Sequence, residues 1–218
     1  MLSPRYGETY HSQRGAVSEA RHVFLTGAGV ADRLRNGLPT TVLEVGFGAG
    51  LNTLVTLSAP RSEAPLRIHS LEAELLATDV LRALDHRTLL PRPELADDLY
   101  AWLDGLPVDA SGRHTTVLAG GRLELVLGDA RRAALPRGVD AVYHDAFSPD
   151  VNPELWDEAF LGRLFQALTP GGRLVSYTVK GVVRRRLKAL GFDVAKVPGP
   201  PGGKREVLVA VRPALERA

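Results

Sequence analysis

Short β-branched runs alternate along this chain with segments of helical period. TVLEVG (residues 41–46) is apolar and β-branched, ends in glycine, and runs into GLNTLVTL, which has helical character. LRIHSLE (66–72) predicts a second strand, followed by the helical stretch ELLATDVLRAL. RLELVLGD (122–129), VDAVYHDAF (139–147) and GRLVSYTV (172–179) predict a third, fourth and fifth strand. ELWDEAFLGRLFQAL (154–168) and GVVRRRLKALG (181–191) read as helices, the second closed by Gly191 where a helix C-terminus favours glycine. Upstream, SEARHVFLTGAGVADRL (18–34) predicts a helix with a Gly-containing interruption.

Strand and helix in alternation argue for a parallel sheet covered on both faces. The end of the chain departs from that pattern. FDVAKV (192–197) and REVLVAV (205–211) are separated only by PGPPGGK and predict a hairpin at the sheet edge. The expected fold is α/β and Rossmann-like, with a mostly parallel seven-stranded sheet whose last strand is antiparallel. This arrangement is similar to that of class I methyltransferases. Residues 1–218 read as one domain, with an N-terminal extension over about 1–38 and an insertion over about 85–121 that is rich in Leu, Pro and Asp.

With 218 residues, 44% of them hydrophobic, the chain can fill a sizeable core. It contains no cysteine, which excludes disulfides and thiolate metal sites and makes a reducing cytoplasm the expected compartment. No run has the length or apolarity of a signal sequence or a membrane span. The net charge of +2 hides an uneven distribution. Residues 63–109 carry ten acids and four bases, whereas residues 173–218 carry eleven bases and three acids. Such a basic region suits a polyanion such as RNA, or serves as a solvated face.

EVGFGAGLN, Glu44 to Asn52, joins the first predicted strand to a helix. Glycines here let the backbone turn tightly and approach a ligand, and the opening of the helix offers N–H groups. The spacing of Glu44, Gly46, Gly48 and Gly50 is E-x-G-x-G-x-G; a dinucleotide fingerprint would need glycine where Leu51 stands. It resembles motif I of S-adenosylmethionine-dependent methyltransferases. Glu72 ends the second predicted strand, at a distance suited to ribose hydroxyls, and Asp129 ends the third, where it could face an adenine amino group. Either acid could instead cap the following helix. Asp145 ends the fourth, where open α/β sheets place ligands at the switch point; a turn residue is the bland alternative.

Several separated segments together resemble one family, the tRNA (5-methylaminomethyl-2-thiouridine) methyltransferases. These are the methyltransferase domain of the bifunctional MnmC proteins and their stand-alone, MnmD-like branch. The segments are YGETYHSQRGAVSEARHVF, LEVGFGAGLNTL, HDAFSPDVNPELW, LTPGGRLVSYTVKGVVRRRLKALGF and GGKRE. HDAFSP looks like the stand-alone form, and no flavin fingerprint follows within the chain, so the oxidase activity of the fused relatives is not implied. The resemblance implies transfer of a methyl group from S-adenosylmethionine to the amine of an aminomethyluridine in the anticodon loop. It places Glu44, Gly46, Gly48, Gly50, Asn52, Glu72, Asp129 and Asp145 at the cofactor, and Asp145 at the methyl.

The chemistry sets a condition on Asp145. An alkyl ammonium with a lysine-like pKa near 10.4 costs roughly 4 to 5 kcal/mol to present neutral at pH 7. A carboxylate also stabilises the charged form, so its expected work is to orient the amine first and accept a proton second. Phe147 and Pro149 would wall the splayed base, with Asn152 as N-cap and Pro153 as first residue of the next helix. Lys204 and Arg205, in the final hairpin turn, are candidates for phosphate contact. Arg184 to Arg186 spread around a helix and fit a solvated face equally well. His11, His69 and His144 are scattered, so no metal is expected, and His144 should lie packed or hydrogen-bonded opposite Asp145. Two rivals stay open: a small-molecule amine methyltransferase or aminopropyltransferase-like enzyme of the same fold, and a non-catalytic RNA-binding module.

Overall fold

The computed structural model describes residues 15–214. The YGETYHS segment and His11 lie outside the described residues. Eight strands form a single sheet: β1 (Thr40–Val45), β2 (Leu66–Glu72), β3 (Gly112–Leu118), β4 (Gly121–Leu127), β5 (Val139–His144), β6 (Leu168–Ser176), β7 (Asp193–Pro198) and β8 (Glu206–Val211), in the order β3-β4-β2-β1-β5-β6-β8-β7. The five central strands from β4 to β6 run parallel, while β8 pairs antiparallel with both β6 and β7.

The count of seven strands is corrected to eight. The additional strand is β3, which lies inside the 85–121 segment and pairs antiparallel with β4 at the sheet edge. Its side chains are mostly exposed, so its sequence carries little hydrophobic signal. The same segment supplies α5 (Glu94–Asp104), after α4 (Thr78–Ala83), and buries Leu95, Leu99 and Leu103 against the sheet.

Both faces of the sheet are covered, as parallel strands require. Alternation splits the central strands between two cores. Val42, Ile68, Leu123, Ala141 and Tyr143 face α1 (Ala16–Glu19), the π-helical turn Ala20–Thr26, α2 (Val30–Arg35), α3 (Leu51–Leu57) and α5. Leu43, Val45, Leu71, Val142 and Leu174 face α6 (Glu158–Ala167) and α7 (Gly181–Ala189). The interruption expected in the first helix is the π-helical turn and Gly29, which takes φ +76° before α2.

Helix α6 starts later than its sequence suggests. Pro153–Leu155 is a separate 3₁₀ turn, and the cap of α6 is Asp157, whose Oδ1 accepts the Phe160 amide at 2.7 Å. Asn152 takes the N-cap position of the 3₁₀ turn, with Pro153 first in it, but its side chain makes no cap bond; its Nδ2 donates to Glu154 Oε1 at 2.9 Å. His144 is fully buried, stacks on Trp156 with ring centroids 4.0 Å apart, and its Nε2 hydrogen-bonds the Leu155 carbonyl at 2.8 Å. Burial pushes its pKa down to about 4.

Candidate active site

The chain leaves β1 for β2 on one side and later places β5 on the other, which makes the β1–β5 boundary the switch point of the sheet. Strand pairing continues past the end of β5: the Asp145 amide donates to the Val45 carbonyl at 3.0 Å. The glycine loop after β1 meets the Asp145 backbone directly. Gly46 has φ +91°, and a Cβ there would sit 2.7 Å from the Asp145 carbonyl oxygen. Only glycine accepts both the angle and the contact.

Over this junction lies a cavity of about 610 Å³, a size that suits a small cofactor. Its walls are the carboxyl ends of the strands. Gly46 to Ala49 follow β1, Leu71 to Ala73 close β2, Gly128 to Arg131 follow β4, Asp145 to Ser148 follow β5, and Ser176 to Thr178 end β6. Asn52, Asn152, the 3₁₀ turn with Trp156, and Glu19, Lys180 and Lys204 complete it.

Glu72 holds the glycine loop in place. Its Oε2 accepts the Gly48 amide at 2.8 Å, and its Oε1 accepts the amides of Ala73 and Glu74 at 2.8 and 3.1 Å. Burial raises its pKa, with these amides opposing the rise. Asp129 is gripped by Arg131 through two guanidinium nitrogens, Nη2 at 2.7 Å from Oδ2 and Nε at 3.0 Å from Oδ1. That pairing pulls its pKa down to about 2. Asp145 Oδ2 accepts the Asn52 amide Nδ2–H at 2.8 Å. The Phe147 carbonyl accepts the Trp156 indole at 2.7 Å, which pins the loop after β5 to the 3₁₀ turn.

Most sequence-predicted residues therefore converge: Gly46, Gly48, Asn52, Glu72, Asp129, Asp145, Phe147 and Lys204 all line the cavity. Four do not. Glu44 is fully buried beneath the loop, where its Oε2 accepts hydroxyls from Thr53 at 2.8 Å and Ser70 at 2.6 Å. Desolvation pushes its pKa up to about 8. Gly50, at φ +73°, is required by packing: a Cβ there would come within 2.8 Å of the Phe47 ring. Pro149 stiffens the loop from outside, and Arg205 is exposed on the hairpin. No residue of 85–121 lines the cavity either, so that segment does not border the site. Among the described residues, no group of His, Cys, Asp or Glu is arranged to hold a metal ion.

Glu19, Tyr177 and Trp156 were not singled out by pattern. Tyr177 had a signal, since it lies at the carboxyl end of a predicted strand. Glu19 had none, because it reaches the cavity through the packing of the N-terminal helical segment on α3 and β6, far off in the chain.

A sheet of this order, with a glycine loop and a ligand cavity at its switch point, defines the class I S-adenosylmethionine-dependent methyltransferases. The chain belongs to the S-adenosyl-L-methionine-dependent methyltransferase family, whose model matches residues 93–213. It is 39% identical over 225 residues to the tRNA 5-methylaminomethyl-2-thiouridine biosynthesis bifunctional protein MnmC of Paracidovorax citrulli, covering 99% of this chain and 34% of that protein. The MnmC protein of Caulobacter vibrioides is 38% identical, covering 98% of this chain and 36% of the relative. The chain thus spans about a third of the length of these relatives. The crystal structure of MnmC2 from Aquifex aeolicus superposes with a TM-score of 0.74 at 31% identity, covering 98% of this chain and 67% of that one.

S-adenosylmethionine is the cofactor of this family, and the residues present fit it: a loop with glycine at every second position faces a cavity of matching size with carboxylates on its walls. When bound, it supplies an electrophilic methyl group on a sulfonium.

Proposed function

We propose that this protein methylates the amine of 5-aminomethyl(-2-thio)uridine at the wobble position of tRNA, giving 5-methylaminomethyl(-2-thio)uridine, in the cytoplasm. The observation that carries the reading is Asp145: a carboxylate at the switch point, against the glycine loop, held by Asn52 and open to the cavity. The names of the MnmC relatives supply the substrate class. The reading assigns methyl transfer alone to residues 1–218, taken as one methyltransferase domain.

In this reading Gly46 and Gly48 admit the cofactor and Glu72 receives its ribose hydroxyls, while Asp129 lies toward the adenine. Asp145 accepts a hydrogen bond from the substrate nitrogen and turns its lone pair toward the methyl. One proton leaves the ammonium through Asp145 to water before the nitrogen forms its new N–C bond, and the pair of the broken C–S bond stays on sulfur. Phe147 walls the splayed base of the anticodon loop, where unstacking costs less than in a duplex. Lys204 and Arg205 contact backbone phosphates.

The test is incubation of the protein and labelled cofactor with tRNA from cells that accumulate the aminomethyl intermediate, followed by nucleoside mass spectrometry. The expected product is methylaminomethyluridine. Label in a small amine, or cofactor binding without transfer to RNA, would overturn the reading.

A further inference from the structure

One wall of the cavity has no part in the scheme above. Glu19, the last residue of α1, lines it from the N-terminal segment, which packs on α3 and β6 and meets the hairpin where His22 Nε2 hydrogen-bonds the Pro198 carbonyl at 2.9 Å. The Glu19 carboxylate lies against the hairpin tip, so close that a Cβ on Gly203 would sit 2.7 Å from its Oε1. Beside it stands Tyr177, its ring packed edge-on to Phe24 at 5.0 Å. The Lys204 ammonium lies 5.4 Å from the centroid of the Tyr177 ring, within cation–π range. Burial, then the negative charges of Asp145 and Glu19, push the pKa of the Tyr177 phenol well above its ordinary value and keep it neutral.

Resting on the function proposed above, we infer that Glu19 binds the substrate amine as a second carboxylate, forming with Asp145 and the Tyr177 ring a seat for an alkylammonium. The Lys204 ammonium lies on that ring, and it leaves the ring to the substrate amine as it takes up the phosphate contact assigned to it above. Glu19 then decides between tRNA bearing the aminomethyl group and tRNA bearing plain uridine, which offers no cation. The same two carboxylates face the positive charge that returns to nitrogen as its bond to the methyl carbon forms. They therefore recover at that stage part of what they cost when the ammonium loses its proton.

The experiment compares two anticodon stem-loop RNAs, one with 5-aminomethyluridine at the wobble position and one with uridine, against wild type, Glu19→Gln and Glu19→Asp. Wild type should prefer the aminomethyl RNA. Glu19→Gln should shrink that preference by roughly ten- to a hundredfold while leaving affinity for the uridine RNA and for cofactor unchanged. Glu19→Asp should restore part of it. An unchanged preference in Glu19→Gln, or equal loss for both RNAs, would overturn the inference. So would a wild type that methylates the aminomethyl RNA without preferring it. A wild type that neither prefers nor methylates it would remove the proposed function itself.

Discussion

Asn52 donates its amide to Asp145 Oδ2 at 2.8 Å, joining the first turn of α3 to the end of β5. The contact spans the switch point and fixes the direction of the carboxylate. Because an amide is uncharged, it does this without neutralising Asp145, as an arginine or lysine would. Asn52 is itself buried, and its backbone carbonyl accepts the Thr56 hydroxyl at 2.8 Å, so the residue that points Asp145 is anchored in the core.

Removal of the carboxylate should cost turnover rather than binding. Asp145→Ala is expected to lower kcat by at least roughly a hundredfold, with tRNA affinity within a few-fold of wild type. Single-turnover kinetics and filter binding measure the two; loss of tRNA binding alone would contradict the orienting role.

Gly46→Ala should damage the site through its backbone. The methyl group has nowhere to go against the Asp145 carbonyl, and φ +91° is unfavourable for alanine. Cofactor affinity measured by calorimetry should fall roughly tenfold or more, with the fold retained by circular dichroism.

The buried Glu44 gives stability a pH dependence of definite sign. Its folded pKa is raised from the ordinary carboxylate value to about 8, so the native state holds its proton longer than the unfolded chain. The contribution is complete below about 4.5 and is lost as pH rises through about 8. Between pH 6.5 and 8.5 it amounts to about 2 kcal/mol. His144 works in the other direction, its contribution being lost as pH falls toward about 4. Thermal unfolding of Glu44→Gln should lack the alkaline decline of wild type; an equal decline in both would show that Glu44 is not its source.

Lys204→Ala combined with Arg205→Ala should weaken tRNA binding and reduce the slope of log affinity against log salt by roughly 1 to 2. Cofactor binding should be nearly unchanged. An unaltered slope would remove both residues from the phosphate contacts.

The central strands were legible because burial on both faces makes them continuous β-branched runs; Leu66–Glu72 matches its prediction at both ends. Strand β3 was not, since an exposed edge strand such as GRHTTVL needs no apolar pattern. The cavity walls at the strand ends were also readable, because their residues follow those strands in sequence. Glu44 was misplaced for a local reason: alternation turns it inward, under the loop that its neighbours line. Glu19 lay beyond pattern altogether, because its place depends on a contact between segments far apart in the chain.

Strand β8 sits inside the sheet, between β6 and β7, although it is made after both. A ribosome therefore releases β6 with an open edge, and the sheet cannot close until Glu206–Val211 has emerged and inserted. The hairpin tip that carries Lys204 reaches the N-terminal helix only at that moment. The strand ends that form the rest of the cavity precede Lys204 in the chain, so its wall at the hairpin is made after the others.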